Sequence, residues 1–266
     1  MARMKSMNRF LKSIIIMLGL LQYHVASADN AGASARWAGK KILVVMTNHS
    51  KYPTRTDATG LWLTELTDFY DVAKAAGIEM DFASPAGGLV PIDERSQGWL
   101  YMNTSAKAHI QDQAFVSRLK NTSAVGSLNP NDYAAIYYTG GHGTMWDFRD
   151  NEALKSMAES IYRNGGFIAS VCHGAAGLLN LKDGNGKPLI ANRTVTGFSN
   201  AEELLSGTKD QVPFFLQDEL TALGATYDKA FIPFASHVVV DGKIVTGQNP
   251  NSSEAVAEAL VALLKQ

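Results

Sequence analysis

The chain has 266 residues, 46 % of them apolar, with 24 basic against 25 acidic side chains, a net charge of −1 and one cysteine, Cys172. Without a basic block, nucleic acid is not an expected partner. A lone cysteine can form neither an internal disulfide nor a cysteine-based zinc site, so the fold must stand on packing alone.

The chain opens with Arg3, Lys5, Arg9 and Lys12, an apolar stretch over residues 14–21 and the small-residue site Ala26-Ser27-Ala28. That order is the pattern of a cleavable secretory signal. The apolar stretch falls short of the roughly 20 residues a membrane span needs, which argues against an uncleaved anchor. Residues 1–28 are therefore expected to direct export, periplasmic or secreted, with no stable membrane association after cleavage. Ala33-Ser34-Ala35 offers a second cleavage site. Removing residues 1–28 leaves 20 basic and 25 acidic residues. Residues 29–39 read as a linker and 40–266 as one domain.

Residues 40–46 (KKILVVM) form a nearly continuous apolar run, the look of a parallel strand covered on both faces. Leu61, Leu66, Phe69, Val72, Ala73 and Ala76 then recur at helical spacing over 60–76, and Gly77 stops the helix. A second strand is expected over 78–83, completing a strand-helix-strand unit. The stretch 87–131 is the least regular: loops, with one helix near 114–119. A strand over 133–138 (YAAIYY) runs into Thr139-Gly140-Gly141-His142-Gly143. A helix over 151–163 and a strand over 167–171 follow, then Cys172 and a helix of small residues from 175. Beyond lie a strand at 194–196, a helix near 214–223 and a hairpin in HVVVDGKIVTG, with Asp241-Gly242 as its two-residue turn. The final segment, SSEAVAEALVALLKQ, sets Val256, Leu260, Leu263 and Leu264 on one stripe behind a serine N-cap. These elements describe an α/β fold with a doubly wound, mostly parallel sheet and an added β-hairpin.

Between strand 167–171 and the following helix stand only Cys172, His173 and Gly174. So sharp a corner displays its side chain at the carboxyl end of the sheet, where such folds bind ligands. A helix N-terminus behind it would favour thiolate over thiol, and the N–H of His173 would face a developing oxyanion. A free cysteine is more often a small buried hydrophobe; the corner and the adjacent histidine point instead to a nucleophile. The glycine pair Gly140-Gly141 ends another strand at the same edge. It lacks the phosphate-loop and dinucleotide patterns and reads as the other half of an oxyanion site.

Several ordered motifs, TGLWLTEL, DFASPAGG, YYTGGHGTMWD, ASVCHGAAGLL, VTGFSNAEE and IVTGQNP, resemble the ThiJ/PfpI superfamily from residue 41 to the C-terminus. Its fold is flavodoxin-like and related to class I glutamine amidotransferases. The similar branch is that of heat-shock chaperones and glutathione-independent glyoxalases. The resemblance implies Cys172 as nucleophile, His173 as acid/base, Glu203 as the acid that orients it, with Glu202 the competing choice, and Glu65 as a carboxyl against the sulfur. Gly140, Gly141 and His142 would line the oxyanion and substrate pocket, His142 without a catalytic part. Some members bind zinc through histidines near the first helix; that helix has none here, so no metal and no cofactor are expected. His49 and His109 read as structural. His237, like His142, falls near the end of an expected strand, but it lies in no family motif. The implied reaction converts an α-oxoaldehyde such as methylglyoxal to lactate. Alternatives are a Cys-His-Glu peptidase or amidase, a holdase chaperone and a redox sensor at Cys172. A homodimer is the expected assembly.

Overall fold

The structure, a computed structural model, describes residues 36–266; the expected signal lies outside them. The chain divides into two units. Lys40–Val261 carries the sheets and the site. Of the other unit, the described residues are 36–39, mostly a turn, and Ala262–Gln266, the end of the last helix and the tail.

In chain order the regular elements begin with β1 (Lys41–Val45), α1 (Leu63–Ala75) and β2 (Met80–Ser84). Next come α2 (Thr104–Gln111), α3 (Gln113–Lys120), β3 (Ser123–Ala124), β4 (Tyr133–Tyr138), α4 (Thr144–Asp147), α5 (Glu152–Arg163) and β5 (Phe167–Val171). The remainder is β6 (Thr194–Val195), α6 (Asn200–Leu205), α7 (Leu216–Ala222), β7 (Thr226–Tyr227), β8 (Val238–Asp241), β9 (Ile244–Gly247) and α8 (Ser253–Leu264). Seven strands form one sheet in the order β3-β2-β1-β4-β5-β9-β8, parallel everywhere except at the β8/β9 hairpin. β6 and β7 form a separate parallel pair. Among the described residues no helix is long and apolar enough to cross a membrane.

The central strands are apolar on both faces because both are covered: Ile42 to Val45 and every residue of β4 are buried. Phe69 of α1 stacks on Tyr137 of β4, and the buried Tyr137 hydroxyl donates to the Glu65 carbonyl at 2.7 Å. That bond satisfies the one polar atom the pair takes into the core, and it fixes α1 against the strand that leads to the glycine pair.

The expected strand-helix-strand order is present, with four local differences. Residues 104–111 form a helix capped by Asn103, whose side chain accepts from Ala106 N–H. The hairpin loop is Gly242-Lys243 rather than Asp241-Gly242, since Asp241 pairs with Ile244 and Gly242 takes φ 60°. A 3₁₀ turn, Pro250–Ser252, capped by Asn249, leads directly into α8. The segment after the corner, Cys172–Leu178, winds as a 3₁₀-helix rather than an α-helix. The narrower coil suits how closely it lies on β4. A Cβ on Gly174 would meet the Thr139 carbonyl oxygen at 2.6 Å, and one on Gly177 would meet the Tyr138 ring at 2.9 Å.

Candidate active site

The corner holds Cys172 at φ 56°, a left-handed conformation that costs a non-glycine residue of the order of 1 kcal/mol. Strain of this kind persists where the surroundings over-determine it, and here it aims the side chain away from the strand. The thiol is nearly buried, 3 % exposed. Its Sγ stands 3.2 Å from Nδ1 of His173, and Nε2 of His173 stands 2.8 Å from Oε2 of Glu203. A carboxylate only accepts, so Nε2 carries the imidazole proton and the Nδ1 lone pair faces the thiol. His173 is thus oriented to take the proton of Cys172.

Glu203 and Glu202 share the first turn of α6 but face different ways. Glu202 completes a capping box with Ser199. Its Oε1 accepts from Phe234 N–H, Gln248 and Asn249, and its Oε2 from the Ser199 N–H and hydroxyl. It is a buried structural hub. Glu203 alone of the two meets an imidazole of the site. Its carboxyl is buried, which by itself would raise it. The charge and hydrogen bonds of His173 and His142 outweigh this and hold it far below the carboxylate range.

Glu65 lies on α1 and is wholly buried, its Oε2 accepting from Gly140 N–H at 2.7 Å. Gly140 must be glycine, because a Cβ there would strike Glu65 Oε2 and come within 2.9 Å of the Cys172 Cβ. Burial drives the Glu65 carboxyl well above its ordinary range, against hydrogen bonds from Cys172 and Gly140. Burial also pushes the Cys172 thiol well up, and Glu65 adds to this through charge and hydrogen bonding, while the His173 and Gly141 N–H groups pull it down. This corrects the expectation of a thiolate made acidic by a helix end. The following coil is 3₁₀ and the sulfur is buried, and both weaken the support for a thiolate.

A neutral Glu65 changes sign in this balance. Its Oε1 is buried and has no hydrogen-bond partner among the described residues, so a proton there is free to turn toward sulfur. Glutamine would present the same pattern, a carbonyl to Gly140 and N–H to Sγ. Glu65→Gln is therefore expected to keep activity within about tenfold of the parent, while Glu65→Leu loses about a hundredfold, the scale of one donor removed from an oxyanion site. Pairing turnover with the pH dependence of Cys172 alkylation checks this. Equal loss in both variants would show that an ionised carboxylate is required.

His142 does more than line the pocket. Its ring lies on that of His173, centroids 4.0 Å apart, and its Nε2 is 3.0 Å from Oε1 of Glu203 and 3.0 Å from the Thr208 hydroxyl. On its other side, Nδ1 receives Nη2 of Arg95 at 2.9 Å. Arg95 and its partner Asp93 did not emerge from the sequence, where 87–131 is irregular. They reach the site because Leu61 and Ile92 form a bridge, with Leu61 N–H donating to the Pro91 carbonyl and Asp93 N–H to the Leu61 carbonyl. The short D-x-R spacing is the only sequence trace of the pair. His49 stacks on Trp146, His109 pairs with Asp71 at 2.7 Å, and His237 pairs with Asp228 at 3.2 Å.

Among the described residues, His142, His173 and Glu203 are the one cluster with the spacing to hold a metal ion. Both Nε2 atoms stand within hydrogen-bond distance of Glu203, at 3.0 Å for His142 and 2.8 Å for His173.

Cys172, His173, Gly141, His142 and Arg95 open on a cleft of about 370 Å³ whose walls include Trp62, Tyr101, Phe198, Leu205 and Phe234. The chemistry available is nucleophilic attack by sulfur, proton movement by His173 and oxyanion binding by the Gly141 and His173 amides.

The chain matches the DJ-1/PfpI family over residues 58–263. It is 31 % identical to Glyoxalase 3 of Candida albicans, over 84 % of this chain and 97 % of that protein. It is 30 % identical to the glutathione-independent glyoxalase HSP31 of Saccharomyces cerevisiae, over 86 % and 99 %. Among solved structures, the Rapid Encystment Protein 24 KDa of Francisella tularensis superposes with a TM-score of 0.81 at 40 % identity, covering 85 % of this chain and 99 % of that one. Glyoxalase III of Candida albicans gives 0.79 at 30 % identity, covering 84 % and 97 %.

Proposed function

Because this chain belongs to the DJ-1/PfpI family, we propose that it is a glutathione-independent glyoxalase that converts methylglyoxal to lactate through Cys172. Two relatives 30 % identical over nearly their whole length carry that name, and a third at 31 % is named Glyoxalase 3. The observation that carries the reading is the line Sγ–Nδ1 at 3.2 Å and Nε2–Oε2 at 2.8 Å through Cys172, His173 and Glu203.

His173 takes the thiol proton and sulfur adds to the aldehyde carbon of methylglyoxal. The oxyanion forms between the Gly141 and His173 amides and receives that proton, giving a hemithioacetal. His173, neutral again, removes the hydrogen on the former aldehyde carbon to form an enediolate; the hydroxyl proton passes to the neighbouring oxygen and His173 returns its proton to the neighbouring carbon. One carbon is oxidised to a thioester and the other reduced to an alcohol, so the electrons balance within the substrate and no external redox partner is needed. Water then cleaves the thioester, releasing lactate and restoring the thiol. Incubation with methylglyoxal alone is the test: the aldehyde should disappear as lactate accumulates.

A holdase role is a second reading, favoured by the exposure of Trp99, Leu100, Phe231 and Ile232. A homodimer burying part of that surface belongs to the same proposal. So does export, which rests on the charged and apolar segments and the A-x-A site of residues 1–28.

A further inference from the structure

The reaction above gives Arg95 no part, yet its side chain is four-fifths withdrawn from water beside the site. Its Nε and Nη2 donate to the two oxygens of buried Asp93 at 3.0 and 2.8 Å. The second Nη2 hydrogen is shared between the Tyr52 hydroxyl and Nδ1 of His142, the latter at 2.9 Å. A guanidinium offers hydrogens only, so Nδ1 of His142 must hold its lone pair toward Arg95. The one proton of that ring is then on Nε2, facing Oε1 of Glu203.

We propose that Arg95 is a positioning residue of the active site: by occupying Nδ1 it keeps His142 neutral, in the Nε2–H tautomer, so that Glu203 reserves its negative charge for His173. The inference rests on the reading of Cys172, His173 and Glu203 given above.

The polar and charged surroundings of His142 come from four segments, and Phe198 packs its ring on a further side. Arg95 faces it from the turn after Asp93, Tyr52 from the loop after β1, His173 from the corner, and Glu203 with Thr208 from α6 and the residues beyond. Asp93 compensates Arg95 from behind. Burial, His173 and Arg95 together push His142 down to about 4 against the pull of Glu203.

A protonated His142 would harm the reaction twice. Its charge would neutralise Glu203 through Oε1. A cation 4.0 Å from the His173 ring would also oppose the imidazolium that His173 becomes on taking the thiol proton. Without Arg95 the Nδ1 lone pair is open to a proton, and the pull of Glu203 then works against burial and His173 alone.

The test is the pH dependence of kcat/KM for methylglyoxal in Arg95→Met, His142→Gln and their combination. In Arg95→Met, kcat/KM at about pH 5.5 relative to about pH 8 is expected to fall at least about twofold below the same ratio in the parent, because His142 then takes up a proton at higher pH than in the parent. In Arg95→Met/His142→Gln the extra fall should vanish, since glutamine keeps an N–H for Glu203 and cannot titrate. Arg95→Met leaves Asp93 without its counter-charge, so Asp93→Asn/Arg95→Met is measured alongside and decides if the single variant does not fold. The alkylation rate of Cys172 over the same pH range reports the triad without any substrate. It keeps the inference testable if methylglyoxal is not turned over, which would end the glyoxalase reading alone. A profile parallel to the parent in both readouts, or a shift that survives in the combined variant, overturns the proposal.

Discussion

Cys172→Ala is expected to lower lactate formation from methylglyoxal by about 10⁴-fold or more, the scale on which loss of a covalent nucleophile is felt. No other cysteine exists to substitute for it. The amides of Gly141 and His173 would still face the aldehyde oxygen, but no bond to carbon could form, and without the hemithioacetal the proton on that carbon is not acidic enough for His173 to remove. The fold should persist. Alanine keeps the Cβ and removes one buried sulfur, a loss of about 1 kcal/mol by the measure of a single methylene-sized group. Circular dichroism and the unfolding midpoint separate the two effects. Any holding of unfolded client protein should survive the substitution, because that role needs surface and not sulfur. Residual turnover near the parental rate would remove Cys172 from the chemistry altogether.

The second large effect distinguishes two adjacent residues. Glu203→Gln is expected to cost about 10³- to 10⁴-fold in kcat, as amide-for-carboxylate changes do where the acid fixes a histidine tautomer. Three donors converge on Glu203: His173 Nε2, His142 Nε2 and the Thr208 hydroxyl. An amide NH₂ placed among them must face one donor with another. Where it faces His173, the imidazole proton is driven to Nδ1, and the base that should take the thiol proton is lost. Glu202→Gln should behave differently. It sets an NH₂ against donors from Phe234, Gln248, Asn249 or Ser199. A buried acceptor so mismatched costs about 2–3 kcal/mol, or about 5–10 °C in Tm for a domain of this size. Its rate per folded molecule should stay close to the parent. Thermal unfolding and turnover measured on the same preparations decide the matter, and a reversal of the two phenotypes would exchange the roles assigned here.

Much of this was legible in the sequence because its signals are local. The runs KILVV and YAAIYY are apolar on both faces, and they become central strands. A lone cysteine between an apolar strand and a run of small residues marks the corner, and the corner is there, with Cys172 at φ 56°. Glu202 and Glu203 could not be told apart, because a one-residue step on a helix turns a side chain by about 100° and the direction depends on partners far away in the chain. The thiol's acidity was misjudged for a related reason: the corner's position was visible, but its burial was not. Arg95 and Asp93 escaped notice because nothing periodic carries them. They arrive through a bridge between Leu61 and Ile92, 31 positions apart. Such a contact leaves no trace in either segment alone.

The most direct measurement is ¹³C NMR of labelled methylglyoxal incubated with the purified protein, in buffer free of glutathione and of added metal. The account predicts one lactate for each aldehyde consumed, with turnover many times the amount of protein and no signal beyond the spontaneous rate from Cys172→Ala. Aldehyde that remains unchanged, or that is consumed once per cysteine without releasing lactate, would contradict it.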